Sequence, residues 1–159
     1  MNYKNFCQDL NNGHTEEDIK SSFAKHFGIK YDTSDRFDLY TPQVLFEFKY
    51  DKNFENLKSR ATMLAQTLYY VHRLKFGLTD KQIPPILCLA DKNEVIITET
   101  LLWKDFTTDA KEEYDWDLAP SIPDEKLIED LSNTKELKNI HIYKIHNEKE
   151  YEGVNLLPS

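Results

Sequence analysis

Apolar positions change period several times along this chain, and each change marks an element. Between Thr15 and Gly28, Ile19, Phe23 and Phe27 recur every four residues, which predicts an amphipathic helix. Thr15 with Asp18 three residues on resembles a capping box with Asp in the usual Glu/Gln place, and Gly28 is expected to stop the helix. The stretch before it, residues 1–13, is polar and ends in Asn11-Asn12-Gly13, so it reads as a loop or fraying end. Residues 29–34 read as a connector or a first strand. From Arg36 to Tyr50 the period drops to two. Phe37 and Leu39 alternate with Arg36, Asp38 and Tyr40, and Phe46 and Phe48 with Leu45, Glu47 and Lys49. Pro42 places a bend between Thr41 and Val44. The hairpin this predicts pairs Tyr40 with Leu45 and Asp38 with Glu47, because a slip by one residue would turn one strand inside out.

A helical pattern then runs from about Phe54 to Phe76, with Leu57, Ala61, Leu64, Leu68 and Val71 as its apolar stripe and Gly77 as its stop. Ile86-Leu87-Cys88-Leu89-Ala90 follows, apolar on both sides rather than alternating, and Val95–Thr98 is a further β-rich run. Strand, long helix and apolar strand make a right-handed crossover unit with residues 86–89 parallel to 44–49. A strand apolar on both sides is covered on both faces. The expected fold is therefore α/β: a mixed central sheet with an antiparallel hairpin at about 36–50 and a parallel crossover strand at about 85–90, flanked by helices. Beyond Thr100 the pattern weakens. Residues 124–131 read as a short amphipathic helix, 140–145 as an alternating strand and 153–159 as a tail. The chain reads as one domain, with a core at about 14–98 and a less regular extension over 99–159.

Charge sharpens that division. The net charge is −8, yet residues 1–98 carry 13 acidic and 13 basic side chains, while residues 99–130 carry 11 acidic and 3 basic. The acidity is local, between Asp105 and Asp130. Such a run is a solvated face, or it contacts a basic partner, or it covers the chain's own binding face. No apolar run approaches the roughly 18 residues of a membrane span. Cys7 and Cys88 lie far apart and no Cys/His cluster is present, as expected in a reducing cytoplasm.

The hairpin carries the candidate chemistry. In the stated register Asp38, Glu47 and Lys49 share one face, where two carboxylates and an ammonium can hold a divalent cation and position a water. The same residues can equally be a solvated ion pair on a half-exposed sheet. Glu16 falls on the buried stripe of the first helix and can look toward the sheet, whereas Glu17 is rotated away; both also suit a helix N-terminus through its dipole. Gln66 and Tyr70, four apart, share a face of the long helix.

The order helix carboxylate, Asp, Glu-x-Lys across a hairpin, then a long helix resembles the PD-(D/E)XK nuclease superfamily. Gln66 with Tyr70 looks like the Gln-x-x-x-Tyr motif of nuclease domains in type I restriction subunits and related single-chain, type IIG-like restriction–modification enzymes. The resemblance covers about residues 14–98. Phe37 stands where the family's usual Pro would be, and the acidic balance departs from that of a DNA enzyme. The resemblance implies a restriction-endonuclease-like core and Mg²⁺-dependent hydrolysis of double-stranded DNA, with Mn²⁺ as a substitute. It implies that Asp38, Glu47, Glu16 and the backbone carbonyl of Phe48 hold the metal. Lys49 would orient or deprotonate the attacking water, and Gln66 and Tyr70 would position the lysine or a DNA phosphate. Lys52, Lys58 and Arg60, with Arg73 and Lys75, would touch the DNA backbone, or else form a solvated helix face.

So small and acidic a module would draw specificity from further domains or subunits of a restriction–modification system: methyltransferase, helicase or specificity modules. Two other readings are open. One is an inactive module of the same fold used for DNA or protein contact. The other is an unrelated α/β interaction domain in which Glu47 and Lys49 are a plain surface pair.

Overall fold

The computed structural model describes residues 2–31, 39–77, 80–108 and 113–154. Asp38, with Arg36 and Phe37, lies outside the described residues. The elements are α1 (Tyr3–Asn12), α2 (Glu16–Phe27), β1 (Leu39–Tyr40), β2 (Val44–Phe48), α3 (Leu57–Phe76), β3 (Ile86–Ala90), β4 (Glu94–Glu99), a 3-10 helix (Thr100–Phe106), α4 (Glu125–Ser132), α5 (Lys135–Lys138), β5 (Tyr143–Lys144) and α6 (Glu148–Val154).

The five strands form one mixed sheet in the order β1-β2-β3-β4-β5. β1 and β2 pair antiparallel with Tyr40 opposite Leu45, the register the sequence predicts. β2 and β3 run parallel, Val44 opposite Ile86 and Glu47 opposite Leu89, across the α3 crossover. β4 turns back antiparallel on β3, and β5 adds a short antiparallel edge.

Every residue of β2 is buried. Leu45, Leu87, Leu89 and Ile96 face α3, α4 and α5, while Val44, Phe46, Phe48, Cys88, Ala90 and Val95 face α1, α2 and α6. The doubly apolar β3 run thus has helices on both sides, as its composition requires.

Local signals explain the boundaries. Thr15 and Asp18 form the reciprocal capping box, and Gly28 ends α2 at φ 67°, a left-handed conformation in which a Cβ is strained. α3 starts at Leu57 rather than Phe54 because the Asn56 side chain accepts from the Ser59 amide and so caps it. Residues 3–12 are helical rather than a loop. Phe6 and Leu10, four apart, are fully buried, and Asn2 caps the helix, so two apolar anchors suffice where the rest is polar. The expected strand over 140–145 shrinks to Tyr143–Lys144. The expected tail begins inside α6, where Gly153 lies so close to Tyr143 that a Cβ would meet the ring at 2.4 Å. The run 124–131 forms α4 as expected, with Asp124 as its cap.

Candidate active site

Glu47 is the fourth residue of β2 and Lys49 lies one past its end, so both point to the α3 side of the sheet. Glu47 is only 4% exposed, so it is not a solvated surface carboxylate. Lys49 Nζ lies 3.7 Å from Glu47 Oε1 and 3.5 Å from Glu16 Oε1. Glu16 opens α2 and is itself exposed, and it reaches Lys49 where the strand stops. Glu17 instead accepts from the Tyr31 hydroxyl, as its rotation away predicts. One ammonium therefore joins a buried and an exposed carboxylate from different elements.

Glu16, Glu47, Lys49, Gln66 and Tyr70 line one cleft of about 190 Å³, together with Pro120 and Ser121. Five sequence-predicted residues thus converge. Gln66 is buried; its amide nitrogen donates to the Ser121 carbonyl at 3.4 Å, while its Oε1 has no hydrogen-bond partner. A buried acceptor in that state costs about 1–3 kcal/mol. It suits a water, an ammonium or a ligand donor entering the cleft. Phe48, between the two charged residues, sends its ring to the opposite face against Phe23, centroids 5.0 Å apart.

Three other predicted contacts fall elsewhere. Arg60 is buried rather than presented to DNA: its guanidinium donates to the carbonyls of Phe54 and Lys138, tying the start of α3 to the end of α5. Lys52 is exposed but borders a separate, wider concavity of about 690 Å³ with Asn93, Glu94 and Lys144. Lys58 is exposed beside Glu125 and Glu129 of α4. Arg73 lies over the Tyr70 ring at 5.9 Å, on the cleft side of α3.

The acidic extension is not a purely solvated face. Tyr114, Trp116 and Leu118 pack against the α3 core. The Tyr69 hydroxyl donates to the Asp115 carbonyl at 2.6 Å and accepts from the Asp124 amide at 2.9 Å. Burial pushes that hydroxyl above its ordinary pKa. Trp116 stacks on His72, centroids 4.4 Å apart and 8° from parallel. The Tyr114 hydroxyl donates to Asp130, and burial, with that bond, raises its pKa. Sequence reasoning did not place Pro120 and Ser121 at the site. The signal available was aromatic anchors spaced through an acidic run, which marks a segment strapped to a surface.

Among the described residues no group of three or more His, Cys, Asp or Glu side chains stands ready to hold one ion. The two carboxylates that do converge, Glu47 and Glu16, are hard oxygen donors of the kind Mg²⁺ takes, and one is buried beside compensating charge. Compared with protein-family models, with curated proteins and with solved structures, the chain matches none of them. Among the described residues no helix is long and apolar enough to cross a membrane.

Proposed function

We propose that this chain is a metal-dependent deoxyribonuclease module with a restriction-endonuclease-like core, hydrolysing double-stranded DNA as part of a restriction–modification system. The observation that carries the reading is the buried Glu47 paired with Lys49 at the end of a central strand, with Glu16, Gln66 and Tyr70 facing them across one cleft. A partly enclosed cluster of opposite charges, joined by an unpartnered amide oxygen, is a functional arrangement on physical grounds.

Glu47 and Glu16, with Asp38 and the Phe48 carbonyl, are the residues that would hold Mg²⁺. The ion, when bound, polarises the phosphate and lowers the pKa of a water. Lys49 supplies a fixed positive charge beside that water and beside the phosphate oxygens. Its two carboxylate contacts hold the ammonium in place. Gln66 offers its idle oxygen to the Lys49 ammonium or to the water, and Tyr70 offers a hydroxyl to a phosphate. Water attacks phosphorus, and the leaving oxygen departs with a proton.

Cleavage of supercoiled plasmid in Mg²⁺ tests the proposal. Wild type is expected to nick or linearise it, and Lys49→Ala to lose at least about 100-fold in rate, within the span that one general acid–base group contributes. Equal rates for the two proteins would overturn the reading. One observation favours a second reading, an inactive module of the same fold: the Lys49 ammonium already compensates both converging carboxylates. That reading predicts no affinity for Mn²⁺.

A further inference from the structure

Residues 113–123 run along α3 and contribute Pro120 and Ser121 to the lining of the cleft. They are held to α3 by the bridging Tyr69 hydroxyl, by the Trp116 ring on His72, and by the Ser121 carbonyl on Gln66. Trp116 remains partly exposed and Ser121 is exposed, so the segment lies on the surface rather than in the core. It carries Glu113, Asp115 and Asp117 and no basic residue. With it in place the cleft measures about 190 Å³. Pockets that enclose a drug-sized ligand start at about 300 Å³. The space encloses a phosphate group or hydrated ion and has no room to enclose the flanking sugars as well.

Gln66 records the same conflict. Its nitrogen is committed to the strap, and its oxygen, buried in the cleft, is left without a donor. The closed state thus carries a cost that would be relieved once the strap lifts and the amide can turn to Lys49, water or phosphate.

We propose that residues 113–123 are an autoinhibitory gate over the Glu47–Lys49 cleft, excluding the DNA backbone by bulk and by negative charge until the strap lifts from α3. The proposal rests on the nuclease reading for the identity of what is excluded, but the gate itself can be measured without any catalysis.

The experiment compares wild type with Tyr69→Phe, which removes both hydrogen bonds of the Tyr69 hydroxyl and keeps the ring, and with Trp116→Ala, which removes a partly exposed anchor. Each is labelled briefly with an N-hydroxysuccinimide acetate ester, and acetylation of Lys49 is read by peptide mass against the exposed Lys58 and Lys75. Circular dichroism confirms folding, and the surface substitution stands in should the Tyr69 variant not fold. Lys49 labelling is expected to rise at least fivefold in either folded variant, with plasmid nicking in Mn²⁺ rising in parallel. Unchanged Lys49 labelling in folded variants overturns the gate. Raised labelling with no nicking by any variant supports the gate and overturns the nuclease reading beneath it.

Discussion

Lys49 and Glu47 form an ion pair at 3.7 Å in which the acid is buried and the base is about one-fifth exposed. Removing the base leaves a buried carboxylate with less compensating charge. Lys49→Ala is therefore expected to lower unfolding stability, by up to about 3 kcal/mol, as well as activity. Glu16→Gln removes only an exposed partner and is expected to leave stability almost unchanged. Urea unfolding of the two variants checks this, and an equal loss in both would show that the pair is effectively solvated.

Metal affinity separates the active from the inactive reading. Calorimetric titration of wild type with Mn²⁺ is expected to show one site, lost in Glu47→Ala and in Asp38→Ala. Wild-type binding that survives both substitutions would place the ion elsewhere.

Gly153 reverses the usual helix rule. Alanine in place of a helical glycine ordinarily stabilises by about 1 kcal/mol. In α6 the added methyl would meet the Tyr143 ring at 2.4 Å, and overpacking of that kind costs about 1–3 kcal/mol. Gly153→Ala is expected to lower the melting temperature, and Gly153→Ala combined with Tyr143→Ala to recover part of the loss.

His26 gives stability a pH dependence of known sign. Its ring stacks on Phe6, centroids 4.1 Å apart, and hydrogen-bonds the Tyr151 hydroxyl, and burial holds its pKa below the ordinary 6.5. The unfolded chain therefore takes up a proton first as pH falls. The stability this neutral imidazole contributes is full above about 6.5 and is lost as pH falls from there toward the depressed value. Unfolding followed from pH 8 to pH 5 is expected to show this decline, reduced in His26→Gln.

Asp91 is fully buried at the β3–β4 turn, where its carboxylate accepts the amides of Lys52, Asn93 and Glu94. Burial raises its pKa while those three amides pull it down. Asp91→Ala leaves donors without an acceptor and is expected to cost about 1–3 kcal/mol for each one left buried. Asp91→Asn, which keeps one carbonyl oxygen, is expected to cost less, and thermal melts of both rank them.

Sequence periodicity was legible where a strong local rule agreed with burial. The capping box at Thr15, the left-handed Gly28, the twenty-residue α3 and the doubly apolar β3 all follow from residue type and spacing. The convergence of Glu16 with Lys49 was legible for the same reason, since Ile19 and Phe23 fix which face of α2 is buried. What periodicity could not give was tertiary satisfaction of polar groups. Arg60 looks like any helix-surface cation until two carbonyls from elsewhere in the chain claim its guanidinium. α1 hides behind its asparagines because its stability comes from Phe6 and Leu10 docking on α2, not from helix propensity. Aromatic anchors hinted at a strap, but its place on α3 was not legible, because the contacts are made by single aromatic rings and backbone carbonyls, which carry no period.

The first and last helices lie side by side. The Tyr3 hydroxyl donates to the Ile145 carbonyl at 2.9 Å, and the Tyr3 and Tyr151 rings stand 4.4 Å apart. Linkers attached before α1 and after α6 would therefore start from the same flank of the described fold. Both junctions then fall beside α1 and α6, on the side of the sheet turned away from α3, and fusion need not obstruct the cleft.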